Sequence, residues 1–327
     1  MDISDQLSRA ARITWQHKTL WWLGLLPGLT HVATSLARLW VFQFARREYL
    51  PLLAQLPPNG PPLDQWLFTP DAAAKFFNVP VLIGGTVWLF LVGIVFWLLL
   101  VLAEAAIVTA TLGIAAAKPL SVGESLASGR RFLGRFVAID AFLFFPWFLI
   151  ALAALIVLGL TAGSTAVLAV NQSTTTSLFS ALGLGLSCAA LLACLLIPVS
   201  FVTLRFRTMA YRDAIINDAA PGSEKTIRQT VRHTWQVARR NPAEVFILIA
   251  ILWGVQYVFN LLLSVINLPL GLATAVPIFL NASGGAGTAV SILVGLVTAV
   301  LLAIPQALLF VYVAVVWTLA YLNWSYE

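Results

Sequence analysis

Long apolar runs dominate this chain and decide what it can fold into. Six of them, at about 19–44, 79–104, 136–162, 178–204, 243–266 and 288–320, are each long enough to cross a hydrocarbon core of roughly 30 Å. The composition agrees, with 60% hydrophobic and only 10% charged residues among 327. Soluble domains run near half apolar and a quarter charged, and disordered chains need still more charge. The fold class predicted is all-α integral membrane: six transmembrane helices as three hairpins, each preceded by a basic amphipathic interfacial helix. The second run continues to Ala117, and 80–117 as one helix would reach about 57 Å, too long for one crossing. Its small-residue tail, from Ala105 to Ala117, is expected to run along or beyond the interface.

Charge is spread very unevenly between the runs. The segment before the first run holds Arg9, Arg12 and Lys18, and that before the third holds Lys118, Arg130, Arg131 and Arg135. The segment around 205–244 holds Arg205, Arg207, Arg212, Lys225, Arg228, Arg232, Arg239 and Arg240. Fifteen of the nineteen basic residues thus fall on one side, leaving Arg38, Arg46, Arg47 and Lys75 for the other. The loops around Asn171–Ser177 and Asn267–Gly287 carry no charge. Positive charge marks the cytoplasmic face, so both termini are placed in the cytoplasm. The net charge of +6 is thereby explained by membrane topology, and nucleic acid is not the expected partner.

The N-terminus carries charges of both signs and no clean cleavage site, so the first run is expected to be retained. Cys188 and Cys194 lie six residues apart on one helix, about 600° around it, and cannot pair with each other. No CxxC motif is present.

The three basic segments resemble one another. Thr14-Trp15-Gln16 recurs as Thr234-Trp235-Gln236, and at that offset Leu7 meets Ile227 and Arg12 meets Arg232. A second offset matches Leu7 with Leu126 and Arg12 with Arg131. Thr208-Met209-Ala210-Tyr211 is echoed by Thr318-Leu319-Ala320-Tyr321. The pattern suggests one membrane domain, 1–327, built from three units at 1–120, 121–222 and 223–327. The competing reading is that all basic amphipathic interfacial helices look alike. Ser121 and Glu124 fit a capping box, and Pro221-Gly222 punctuates the chain before Glu224, where another helix is expected to start. Such helices lie flat in the headgroup layer with arginines toward lipid phosphate. Arg12, Arg131, Arg135, Arg228 and Arg232 are the candidate headgroup contacts.

Catalytic signatures are sparse. The three histidines, His17, His31 and His233, fall in no HExxH pattern, and no GxSxG elbow, phosphate-binding loop or paired-Asp metal motif occurs. No catalytic residue, metal or cofactor is expected. His17 and His233 read as interfacial, and the glycine-rich run 281–287 reads as a hairpin loop. Two matches to the glycosylation pattern, at Asn171 and Asn281, read as chance in a compact chain of bacterial style.

Polar groups inside apolar runs are costly and hence informative. His31 and Arg38 share a face of the first run. Glu104 and Asp140 lie near the cytoplasmic ends of the second and third runs, with Arg205 and Arg207 at the same end of the fourth, so carboxylate–arginine pairing is expected there. Gln256, Asn260 and Ser264 form a stripe in the fifth run and read as interhelical hydrogen-bonding groups. Pro27, Pro146, Pro198 and Pro305 fall inside runs, where prolines are commoner than in soluble helices.

Three segments resemble the membrane domain of glycerophosphodiester phosphodiesterases: Ala11–Trp15 into Trp21-Trp22-Leu23-Gly24, Pro119–Leu126, and Ile227 through Thr234-Trp235-Gln236 to Asn241-Pro242. The resemblance implies a six-span membrane fold over nearly the whole chain. In those enzymes activity is ascribed to a separate soluble barrel, which these 327 residues do not include. It therefore implies no enzymatic activity here. The expected role is a non-enzymatic scaffold or accessory subunit of a bacterial inner membrane. Its partners would be anionic lipid headgroups and a membrane-protein partner or second copy. One alternative is a transporter of a small or amphiphilic substrate past His31, Gln256 and Asn260. The other is an intramembrane enzyme using Glu104, Asp140 and His31.

Overall fold

The computed structural model describes residues 3–30, 32, 79–171, 194, 199–217, 226–279 and 285–326. Much of the apolar runs 19–44 and 178–204, with His31, Arg38, Cys188 and Pro198, lies outside them. Among the described residues the regular structure is helical, with no strand: α1 (Ile3–Gln16), α2 (18–30), α3 (Val79–Ala115), α4 (Val122–Asn171), α5 (199–216), α6 (Ile227–Arg240), α7 (Pro242–Phe279) and α8 (Gly285–Tyr326). Four stretches are long and apolar enough to cross a membrane: Phe90–Ala115, Val122–Ile150, Pro242–Pro269 and Ile292–Ser325. The shortest, at 26 residues, spans about 39 Å. Large apolar side chains lie exposed along them, among them Phe90, Leu91, Phe145, Phe148, Trp253 and Leu293. Such surface is untenable in water and suits acyl chains.

The helices run on where loops were expected. α4 continues past 162 to Asn171, and α7 continues past Asn267 to Phe279 through Pro269 and Pro277. The basic segment 122–135 is likewise no separate interfacial helix, because it opens the 50-residue α4. Gly129 and Gly134 do not end it, since neither sits in a capping arrangement and the i to i+4 ladder runs through both. By contrast α1 and α6 are separate 14-residue helices, each ended by a single non-helical residue, His17 or Asn241. Asn241 caps α6 with its N–H on the Val237 carbonyl, and Pro242 opens α7 at the position where a proline costs no hydrogen bond.

The predicted box at Ser121 is present: Ser121 N–H donates to Glu124 Oε2 at 2.8 Å and Glu124 N–H to Ser121 Oγ at 3.3 Å. A second box was not anticipated. Thr226 caps α6 reciprocally with Gln229, so that helix starts at Ile227, three residues later than the sequence suggested at Glu224.

The chain forms two compact units, residues 1–129 with 250–316, and residues 130–249 with 317–327. In the first, α2 lies against α8 at very short range. A Cβ on Gly24 would stand 2.6 Å from Val311 Cγ2 and 2.8 Å from the Ala307 carbonyl oxygen, and one on Gly28 would stand 3.1 Å from that of Ala303. Gly24 and Gly28 thus present a small-xxx-small surface to Ala303 and Ala307. α3 meets the start of α4 the same way, with Gly129 on the Ala106 backbone and the Thr109 hydroxyl donating to the Ser125 carbonyl at 3.4 Å. Ala103, Ala105, Ala106, Ile107, Val108 and Ala110 are buried there, while Ala115 to Ala117 at the end of the expected tail are exposed. Small side chains in the buried part allow the backbones to approach. α1 ends beneath Trp21, whose indole N–H donates to the Thr14 carbonyl at 2.6 Å.

Candidate functional site

The second unit is held by side chains that bridge between helices, and α5 is the hub. Its residues Arg207, Tyr211, Arg212, Asp213 and Asn217 recur at helical spacing, so two adjacent faces carry polar groups inward. Toward α4, Arg207 Nε donates to Asp140 Oδ1 at 2.6 Å and to the Tyr211 hydroxyl at 3.0 Å. The Tyr211 ring stacks on Phe136 at 3.7 Å between centroids, with the Arg207 guanidinium 4.7 Å from the tyrosine centroid. Arg135 Nη2, also from α4, donates to the Thr230 hydroxyl of α6 at 3.1 Å.

Asp213 is fully buried and gathers three helices on one oxygen. Its Oδ1 lies 2.6 Å from His233 Nδ1 of α6, accepts from the Tyr321 hydroxyl of α8 at 2.7 Å, and accepts from Asn217 Nδ2 on its own helix. Its Oδ2 is buried without a hydrogen-bond partner among the described residues. His233 is about one-third exposed and links this interior carboxylate to the outside. Buried Arg212 gives one guanidinium N–H to the Thr208 carbonyl at 2.6 Å. Two carboxylates, Asp140 and Asp213, thus lie in the same unit as two guanidiniums, Arg207 and Arg212. Trp324 of α8 closes the unit by donating to Glu244 of α7 at 2.6 Å.

The exposed basic residues are different in character. Arg9 and Arg12 on α1, Arg130 and Arg131 on α4, and Arg228, Arg232, Arg239 and Arg240 on α6 are all exposed. None forms an ion pair among the described residues. The repeated Thr-Trp-Gln triplets adopt matching environments: Thr14 and Thr234 are buried, while Trp15 and Trp235 are 70% and 58% exposed. Ala10 and Thr230, which correspond at the same offset, are both fully buried. Each helix buries a narrow stripe and turns arginine and tryptophan outward, the side-chain set favoured at membrane interfaces.

Of the sequence candidates, Arg12, Arg131, Arg228 and Arg232 are exposed as a headgroup contact requires. Arg135 is not, because it is half-buried and engaged with Thr230. Asp140 pairs with Arg207, and Glu104 is buried in the first unit. His233, read as interfacial, is drawn inward on one side by Asp213. On α7 Asn260 is exposed, and the Ser264 hydroxyl donates to the Asn260 carbonyl of its own helix at 2.8 Å. Gln256 is half-buried. His31 and Arg38 lie outside the described residues. Asp213 went unnoticed because a single carboxylate beside an arginine looks like ordinary loop charge. The signal for its partner was present, since the echoed Thr-x-Ala-Tyr pairs place Tyr211 and Tyr321 alike, each bringing a buried hydroxyl to a charged side chain. No family model, curated protein or solved structure matches the chain.

Proposed function

We propose that this chain is a non-enzymatic scaffold or accessory subunit of a bacterial inner membrane. It has six spans and cytoplasmic termini, and its basic helices grip anionic lipid. The observation that carries the reading is the outward set of α1 and α6: arginines without ion pairs beside exposed tryptophan, on helices whose opposite stripe is buried. A guanidinium presents planar paired donors to phosphate, and each basic side chain near an anionic surface contributes about 1 kcal/mol. The sequence supports the orientation, since fifteen of the nineteen basic residues fall on the side of these helices and the loops around Asn171–Ser177 and Asn267–Gly287 carry no charge. The resemblance to the phosphodiesterase membrane domain supports a role in envelope-lipid handling. The buried Asp140–Arg207 and Asp213–His233–Tyr321 contacts then serve to lock the helices that display the arginines.

The test replaces Arg12, Arg131, Arg228 and Arg232 with Gln and measures retention of phosphatidylglycerol and cardiolipin by the purified protein at two salt concentrations. The expected outcome is weaker anionic-lipid binding with a shallower salt dependence. Unchanged binding overturns the reading.

A further inference from the structure

In the first unit, α1 and the end of α3 enclose a cleft of about 470 Å³ lined by Asp5, Ser8, Arg9, Arg12, Ile114 and Ala115. Positions 5, 9 and 12 fall within about 60° of one another around a helix, so all three charges share one wall. Asp5 and Arg9 sit about 6 Å apart along the axis, and Arg9 and Arg12 about 4.5 Å. An i, i+4 carboxylate and guanidinium commonly pair, yet neither Arg9 nor Arg12 forms an ion pair with Asp5. The Ser8 hydroxyl is committed to the Asp5 carbonyl at 3.0 Å and leaves the charged groups as the recognition set. The other wall ends on Ile114 and Ala115, an apolar rim beside the polar one.

We propose that this cleft binds a phosphoethanolamine lipid headgroup. Arg9 and Arg12 hold the phosphate, Asp5 accepts from the terminal ammonium, and the glycerol end of the lipid lies on Ile114 and Ala115. The proposal rests on the lipid-gripping reading and adds a selectivity that the exposed arginines alone lack. Two guanidiniums without a carboxylate would favour any anionic lipid. The carboxylate one turn away suits a headgroup carrying its own cation, at about the reach of an ethanolamine. It also separates ethanolamine from choline, because a quaternary nitrogen has no N–H to donate.

The test is native mass spectrometry of the full chain in detergent with dioleoyl phosphatidylethanolamine, phosphatidylcholine and phosphatidylglycerol. The wild type is expected to prefer the ethanolamine over the choline lipid by about tenfold, as one charge-assisted hydrogen bond gives. Asp5→Asn should bring that ratio to about one without weakening phosphatidylglycerol binding, and Asp5→Glu should restore it. Asp5 also sits in the first turn of α1, where a carboxylate favours the helix. That stabilising effect is common to all lipids and cancels in the ratio. Equal binding of the two zwitterionic lipids by the wild type overturns the proposal, as does an unchanged ratio in Asp5→Asn. Displacement of the lipid by free O-phosphoethanolamine at matching concentration overturns the assignment to a lipid. Arg228→Gln with Arg232→Gln separates the two readings: unchanged phosphatidylglycerol binding there counts against the general grip, while the ethanolamine-to-choline ratio still decides the cleft.

Discussion

Tyr321 donates its hydroxyl proton to Asp213, 2.7 Å away, so the last turns of α8 are fastened to α5 by a hydrogen bond fully removed from solvent. A hydrogen bond to a charged acceptor contributes about 1.5–3 kcal/mol, and leaving a buried acceptor short of a donor costs about as much. Tyr321→Phe should therefore lower stability by about 2 kcal/mol, read from thermal unfolding in detergent. Asp213→Ala should cost more, because it removes at once the acceptor of Tyr321 and the side-chain contact of His233, while Asn217 keeps its bond to the Asp213 carbonyl. A Tyr321→Phe protein as stable as the wild type would show that the contact contributes nothing.

The Asp140–Arg207 pair makes a different prediction. Arg207→Met removes the guanidinium whose Nε donates to buried Asp140 at 2.6 Å, and removing one partner of such a pair typically costs about 3–5 kcal/mol. Replacing both, as Asp140→Leu with Arg207→Met, exchanges two desolvated charges for apolar contacts and should cost less than Arg207→Met alone. The comparison is a double-mutant cycle on unfolding free energy, and strictly additive effects would contradict a direct interaction.

Much of this architecture was legible in the sequence because its signals are local. Apolar runs, the Ser121–Glu124 box and the repeated Thr-Trp-Gln triplets depend only on residues a few positions apart. Helix ends were misjudged where continuation decides: nothing in 122–146 stops the ladder, so an interfacial helix and a span merged into α4. The inward pull on His233 was hidden because Asp213 is 20 residues away. Likewise Tyr321 lies 108 residues from the carboxylate it serves.

Capping gives a smaller and cleaner test. The Thr226 hydroxyl and the Gln229 side chain satisfy two donors at the start of α6, and replacing such a cap with alanine typically costs about 1 kcal/mol. Thr226→Ala should lose that amount, and Thr226→Ser should keep most of it. Because α6 carries Arg228 in its first turn, the alanine variant should also weaken phosphatidylglycerol retention, measured beside its unfolding temperature.

The closest helix contact in the first unit ranks three glycine substitutions. A Cβ at Gly24 would meet Val311 Cγ2 and the Ala307 carbonyl oxygen below 3.0 Å, and neither can withdraw without moving α8. Overpacking of that kind costs about 1–3 kcal/mol. At Gly28 the nearest atom is the Ala303 carbonyl oxygen at 3.1 Å, which a shift of a few tenths of an ångström relieves. At Gly254 nothing lies within 4 Å, so alanine there adds helix propensity without a clash. Unfolding measured in one detergent should therefore fall most for Gly24→Ala, less for Gly28→Ala, and not at all for Gly254→Ala. Equal loss at Gly24 and Gly254 would mean that α2 does not press on α8 as the structure has it, and that the glycines at 24 and 28 are there for some reason other than close approach.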